Sequence, residues 1–288
     1  MREARGTREE GALLEIRNLA VSFPGPEGPV RAVREVSLSL APGERLAIVG
    51  ESGSGKSISM RAVMGLLPRQ ARMTADRLAF DGIDLIDGGE RAIRRLRGRR
   101  IAMVMQDPKA ALDPVMTAGA QIAEGLRLHR GLGRRAARAA ALDLLAAVRI
   151  DRPERVLDLH PHQMSGGMAQ RVMIAMMLAG EPDLLIADEP TSALDVSVRG
   201  EILELIDGLV TERGMGLVLI SHDLDLVAAF ADRVAVMYAG RVMETLAAGA
   251  LDHAGHPYTR GLIGCRPRLD AHVAPLPVLV RDPAWKDG

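Results

Sequence analysis

The residues best suited to chemistry are in "GESGSGKS", Gly50 to Ser57. Gly50, Gly55, Lys56 and Ser57 stand at the spacing G-x-x-x-x-G-K-[ST], a pattern that serves to hold phosphate. Glycines let successive amides turn toward phosphate oxygens, and a following helix adds the positive end of its dipole. On this reading Ser52, Gly53 and Ser54 belong to the phosphate-binding loop. Lys56 brings a point charge to the β and γ phosphates, and Ser57 offers a hydroxyl to Mg²⁺. Only Lys56, Lys109 and Lys286 are lysines among 37 basic residues. A lysine at this position is therefore informative.

A second candidate is the acid pair that ends "DLLIADEP". Asp188, at the carboxyl end of a short apolar run, is suited to hold Mg²⁺ through water. Glu189 is suited to orient or polarise an attacking water. Alone, such a pair is ordinary surface chemistry at a strand end; beside a phosphate loop it completes a hydrolytic site. The third candidate is "HQMSGGMAQRVMIAMM", residues 162 to 177. Ser165 is a good N-cap, and Gly166 and Gly167 leave amides uncovered at the start of an apolar helix, so this is another anion-binding helix end. The first loop already serves one nucleotide. The second most economically faces a phosphate bound to another subunit.

The elements needed to position these groups are legible nearby. "ERLAIVGESGSGKSISMRAVMGLLP" predicts a buried strand over Leu46 to Val49, a turn, and a helix from about Ser57 until Pro68 stops it. Leu184 to Ala187 predicts a second buried strand, "GLVLIS" a third, and "VAVMYAGRVMET" a closing strand pair. Between residue 106 and the SGG segment the pattern changes to Ala-, Leu- and Arg-rich helices, "MTAGAQIAEGLRLHR" and "RRAARAAALDLLAAVRI". These predict a helical subdomain inserted into an α/β core.

In this order the motifs resemble the ATPase subunits of ABC transporters, whose signature is similar to Met164-Ser165-Gly166-Gly167-Met168. The resemblance covers nearly the whole chain. It implies an α/β P-loop NTPase core, RecA-like with an antiparallel β subdomain, plus an inserted α-helical subdomain. It also implies roles for single residues: Phe23 as the aromatic on adenine, and Gln106 as the Q-loop glutamine touching Mg²⁺ and coupling to membrane subunits. Ser192 to Asp195, "SALD", is similar to the D-loop, placing Asp195 at a dimer seam with Ser165, Gly166 and Gly167. His222, at the end of a strand, resembles the switch histidine that senses γ-phosphate and water. Met168 departs from the usual glutamine and is similar to the peptide and nickel importer branch. "HPYTRGLIGCRPRL", from His256, resembles the C-terminal motif of that branch.

The function this implies is ATP hydrolysis, with ATP and Mg²⁺, powering an importer of oligopeptides, dipeptides or a related solute such as nickel. ATP-driven closure of two ATPase chains and hydrolysis-driven opening form the stroke. The implied partners are two membrane permeases, a second similar ATPase (a heterodimer, with a homodimer as the lesser option) and an extracytoplasmic solute-binding protein. The expected location is the cytoplasmic face of the membrane, held peripherally. The rivals are a soluble ABC ATPase of translation or DNA maintenance, and a kinase or GTPase sharing only the phosphate loop. The latter leaves SGG and SALD unexplained. The expected division is residues 1–105 and 165–249 for the two parts of the core, 106–164 for the helical subdomain, and 250–288 for the C-terminal extension.

Composition sets the outer limits. The sequence has 288 residues, 48% of them apolar, enough for a real core. Thirty-seven basic residues balance 37 acidic ones, so no polyanion is implied as partner. With aromatics at 2%, base stacking on single-stranded nucleic acid is disfavoured. The run Arg94, Arg95, Arg97, Arg99 and Arg100 reads as a solvated or salt-bridged surface rather than a nucleic-acid patch. Cys265 is the only cysteine, so no disulfide within the chain and no iron-sulfur cluster is expected. No apolar run approaches the length that spans a bilayer, and the charged start has no apolar core.

Overall fold

The computed structural model describes residues 11–265, 279, 282 and 284–287. The end of the HPYT-type motif, from Arg266, lies outside them. In chain order the first elements are β1 (Leu14–Phe23), β2 (Val30–Leu40), β3 (Arg45–Gly50), α1 (Lys56–Val63), β4 (Arg72–Thr74), β5 (Arg77–Phe80), β6 (Ile83–Asp84) and α2 (Gly89–Leu96). Then come β7 (Ile101–Val104), α3 (Pro108–Ala111), α4 (Ala118–Arg130), α5 (Arg134–Ala147), α6 (Pro153–Leu157), α7 (Gly166–Met177) and β8 (Leu184–Asp188). The last are α8 (Val196–Arg213), β9 (Gly216–Ile220), α9 (Leu224–Phe230), β10 (Arg233–Tyr238), β11 (Arg241–Ala247), α10 (Pro257–Gly264) and α11 (Ala284–Asp287). They pack as two units, Met1–Arg94 with Asp232–Gly288, and Arg95–Ala231.

In the first unit, alternation of apolar and polar residues builds an antiparallel sheet in the order β2-β1-β5-β6, with β4 also on β1. Leu14, Ile16, Leu19 and Val21 of β1 are buried together with Val33, Val36, Leu38 and Leu40 of β2. A strict two-residue period would turn Leu19 outward. The chain instead inserts a bulge at Asn18, whose φ of 51° suits a side chain that tolerates the left-handed region. Beside this sheet β3 is buried from Leu46 to Gly50 and pairs in parallel with β10. A continuous apolar run is what a parallel strand covered on both faces requires.

The helix after β3 is shorter than its sequence suggests. It ends at Val63, capped at Met64, with Gly65 at φ 61°. That left-handed glycine reverses the chain well before Pro68.

In the second unit β9, β8 and β7 form parallel pairs, with β8 in the middle. Leu184 to Ala187 are fully buried, and α8 carries the chain from β8 to β9. The two Ala- and Leu-rich segments form α4 and α5. Thr117 caps α4 through its hydroxyl, and Gly131, at φ 68°, ends it. Of the arginine run, Arg100 is paired to the buried Asp183 at 2.6 Å, as the salt-bridged reading expects. No helix among the described residues is long and apolar enough to cross a membrane.

Candidate functional site

The phosphate loop leaves β3 at Gly50 and enters α1 at Lys56, all within the first unit. Gly50 has φ 146°, and a Cβ there would lie 2.1 Å from the carbonyl oxygen of Met237. Gly55 has φ 99°, and its Cβ would lie 2.6 Å from the carbonyl oxygen of Ala32. Both positions therefore exclude any side chain, because the obstacle is backbone. The loop is pinned from outside: Gly240 donates its amide to the Ser54 carbonyl at 3.0 Å, and Arg34 donates to that of Gly240 at 2.6 Å.

Lys56 is buried, with 5% of its surface exposed. Its Nζ donates to the carbonyls of Gly50 and Glu51, each at 2.8 Å, and lies 3.4 Å from Ser54 Oγ. An ammonium taken out of water needs such oxygens. The two loop carbonyls hold the charge against the loop itself. Ser54 is buried, Ser57 half-buried, and Ser52 and Gly53 exposed. A loop bounded by two positions, Gly50 and Gly55, that admit no side chain, with a buried cation, fits a polyphosphate.

Phe23, at the end of β1, lines a cavity of about 330 Å³ with Pro24, Gly25, Pro29 and Arg72.

The second unit carries the carboxylates. Asp188 closes β8 with 3% exposure. The next residue leaves the sheet: Glu189 has φ 47°, while its amide donates to the Ile220 carbonyl of β9 at 3.0 Å. A left-handed non-glycine residue costs about 1–2 kcal/mol, and such strain collects at functional positions. Gln106, just beyond β7, donates Nε2 to Glu189 Oε2 at 3.3 Å. His222, just beyond β9, places Nδ1 3.6 Å from the same oxygen. The ends of three neighbouring parallel strands thus bring Gln106, Glu189 and His222 together. The His222 side chain is 62% exposed and that of Glu189 only 18%, so the imidazole stands toward solvent and the carboxylate is the more enclosed of the two.

The apolar body of α7 is explained by its surroundings. It packs against α3, α4, α5, α8 and β7, and Val172, Met173, Ile174 and Ala175 are fully buried. Its start is open. Ser165 is exposed and caps the helix, its Oγ accepting from the Met168 amide at 3.3 Å. At Gly167 a Cβ would come within 3.1 Å of a side-chain methyl of Val198 of α8, so the glycine permits a close approach of α7 and α8 as well as amide exposure. Beyond this end lies a cavity of about 590 Å³, which Ser165 and Gly167 line together with Arg149, Arg152, Arg155 and Arg171. Arg171 is braced by Glu201 at 2.8 Å and by the Val148 carbonyl at 3.1 Å. The sequence reading missed these arginines: Arg149, Arg152 and Arg155 cluster around the start of α6, and only the fold brings Arg171 of α7 to them. In the SALD segment Ser192 Oγ donates to the Glu189 carbonyl at 3.0 Å. Asp195 stands exposed before α8 and makes no capping bond.

Comparison with known proteins gives the family. Residues 33–192 match the family described as ABC transporter. The dipeptide transport ATP-binding protein DppD of Escherichia coli is 49% identical over 259 residues, 90% of this chain and 79% of that protein. DppD of Bacillus subtilis is 47% identical over 266 residues, 92% of this chain and 79% of that protein. Among solved structures, a dimeric post-hydrolysis state of an ATP-binding cassette bound to ADP and Pi superposes with a TM-score of 0.73 at 29% identity, covering 82% of this chain and 98% of that one. The α/β fold is that of a P-loop NTPase, and the chain belongs to the ABC transporter family of ATPases.

Proposed function

We propose that this chain is the ATP-hydrolysing subunit of a peptide importer, bound peripherally to membrane permeases at the cytoplasmic face. The carrying observation is the backbone-walled glycine cradle around a buried Lys56, in a chain 49% identical to a dipeptide transport ATP-binding protein. Those relatives favour peptide transport over a soluble cassette of translation or DNA maintenance.

The proposed division of labour follows from the chemistry of each group. Phe23 stacks on the base. The loop of Gly50, Ser52, Gly53, Ser54 and Gly55 turns its amides to the phosphates, and Lys56 exchanges loop carbonyls for β and γ oxygens. Ser57, Gln106 and, through water, Asp188 would hold Mg²⁺, which would supply neutralising charge to the phosphate oxygens. Gln106 has its nitrogen engaged by Glu189, so its carbonyl oxygen is the atom suited to the cation. Glu189 accepts hydrogen bonds from the attacking water and takes its proton. His222 orients Glu189 and follows the γ-phosphate. Ser165, Gly166, Gly167 and Asp195 serve the nucleotide of a second ATPase chain, so that closure needs both chains.

The proposed complex is this chain, a second similar ATPase, two permeases and an extracytoplasmic solute-binding protein. The test is to tag the chain in its own cell, purify it gently from solubilised membranes and identify its companions by mass spectrometry. Permeases with a peptide-binding protein are the expected result. Ribosomal or DNA-bound companions without a membrane protein would overturn the transport reading.

A further inference from the structure

Both tyrosines and the only tryptophan of this aromatic-poor sequence meet in one place. Tyr258 of α10 lies with its ring centroid 4.6 Å from that of Tyr238, the last residue of β10. Trp285 of α11 stands edge-on to both, at 5.8 Å from Tyr258 and 6.2 Å from Tyr238. Tyr258 is fully buried, and a buried phenol requires a polar partner for its hydroxyl. One partner is in the phosphate loop: the Glu51 amide donates to Tyr258 Oη at 3.4 Å, across 207 positions of sequence. The Glu51 carbonyl in turn accepts from Lys56 Nζ at 2.8 Å and from the Ser54 amide at 3.2 Å. The phenol therefore grips one side of the residue whose other side restrains the phosphate-binding lysine.

The far end of the grip is also fixed. The Glu244 carboxylate on β11 accepts from the amides of Gly255 and His256, at 2.7 and 3.2 Å, and His256 Nδ1 accepts from the Tyr258 amide at 3.1 Å. Pro257 opens α10, a position where its missing N–H costs nothing. The helix is thereby locked at its N-terminus, immediately before the tyrosine.

We propose that Tyr258 is a positioning residue for nucleotide binding: α10 presses its hydroxyl onto Glu51 and so sets the loop geometry in which Lys56 meets phosphate. This rests on the reading of Gly50 to Ser57 as the ATP-binding loop. When Lys56 shifts from the Glu51 carbonyl to phosphate oxygens, the Glu51 peptide relaxes against Tyr258, and Trp285 beside it senses the change. The C-terminal extension becomes a reporter of nucleotide occupancy as well as a brace.

The test is isothermal titration of the full chain with Mg·ATP, paired with tryptophan emission and a thermal melt, for wild type and Tyr258→Phe. Phenylalanine keeps the ring packing and removes only the hydroxyl. A long hydrogen bond is worth little, so the expected loss of affinity is two- to fivefold, or about 0.4–1.0 kcal/mol. The melt should be near wild type, and the ATP-induced change in Trp285 emission should be lost. Wild-type affinity and an intact emission response in Tyr258→Phe would overturn the proposal. If that variant melts early, Glu244→Gln, which loosens the N-terminal end of the same helix without touching the phenol, decides: weakened ATP binding supports the brace, and unchanged binding overturns it. A wild-type chain that bound no ATP would instead sink the loop assignment itself.

Discussion

Replacing Lys56 by alanine separates the loop's two uses of that side chain. Its amine donates to the carbonyls of Gly50 and Glu51 at 2.8 Å each, so truncation removes two charge-assisted hydrogen bonds from the loop. The same change ends the burial of an ammonium that is only 5% exposed, which recovers desolvation cost. The Glu51 carbonyl keeps the Ser54 amide as donor, and the two walls of the cradle, at Met237 and Ala32, are untouched. These effects oppose one another, so the melting temperature should move little. Nothing comparable offsets the loss at phosphate. A hydrogen bond to a charged group contributes about 1.5–3 kcal/mol, which corresponds to roughly 10- to 150-fold in Kd. Titration calorimetry with Mg·ATP at fixed salt, beside a thermal melt of the same sample, measures both. Unchanged affinity in a folded Lys56→Ala chain would refute the assignment of the loop.

Other perturbations follow from the same geometry. Glu189→Gln keeps the hydrogen-bonding shape beside Gln106 and His222 but removes the base, so ATP should bind while turnover falls about 10²- to 10⁴-fold and the closed dimer accumulates; single-turnover assays giving wild-type rates would contradict this. Ser165→Arg deletes the cap of α7, worth about 1 kcal/mol, and fills the open helix end; the chain should still bind ATP but fail to dimerise on it, and light scattering that shows an ATP-dependent dimer would refute the cross-chain reading. Burial pushes the Glu244 carboxyl up, but the Gly255 amide, followed by Thr259 and by the amide and charge of His256, holds it below its ordinary 4.5. A depressed acid stabilises above its unfolded value and loses that contribution as pH falls through the folded one. The grip on α10 should therefore be complete above pH 4.5 and weaken below it, seen as a Trp285 emission change that Glu244→Gln abolishes; an identical acid transition in that variant would refute the role.

What the sequence revealed was local. Gly50, Gly55 and Lys56 lie within one turn of chain, and their spacing carries its own geometry, so strand, loop and helix start are readable there. So is the N-cap of α7, because Ser165 and the glycines it precedes are neighbours. The end of α1 was misplaced because two stop signals compete: Gly65 acts first by taking a left-handed conformation, and Pro68 only follows. The Asn18 bulge was likewise hidden, since only pairing with β2 shows that the period must slip to keep Leu19 inside. Long-range contacts leave no such trace. The contact of Gln106 with Glu189 bridges 83 positions, and residue type alone gives no hint that Tyr258 reaches Glu51. The available signal was the scarcity of aromatics: two tyrosines and one tryptophan concentrated near the C-terminal end are unlike the rest of the chain.

The most direct test of the central claim is peptide uptake by the purified complex in proteoliposomes, with ATP inside and labelled peptide presented by the solute-binding protein outside. Accumulation should require ATP and should collapse when this chain carries Glu189→Gln. Peptide uptake at the wild-type rate with that variant would contradict the claim that hydrolysis by this chain powers transport.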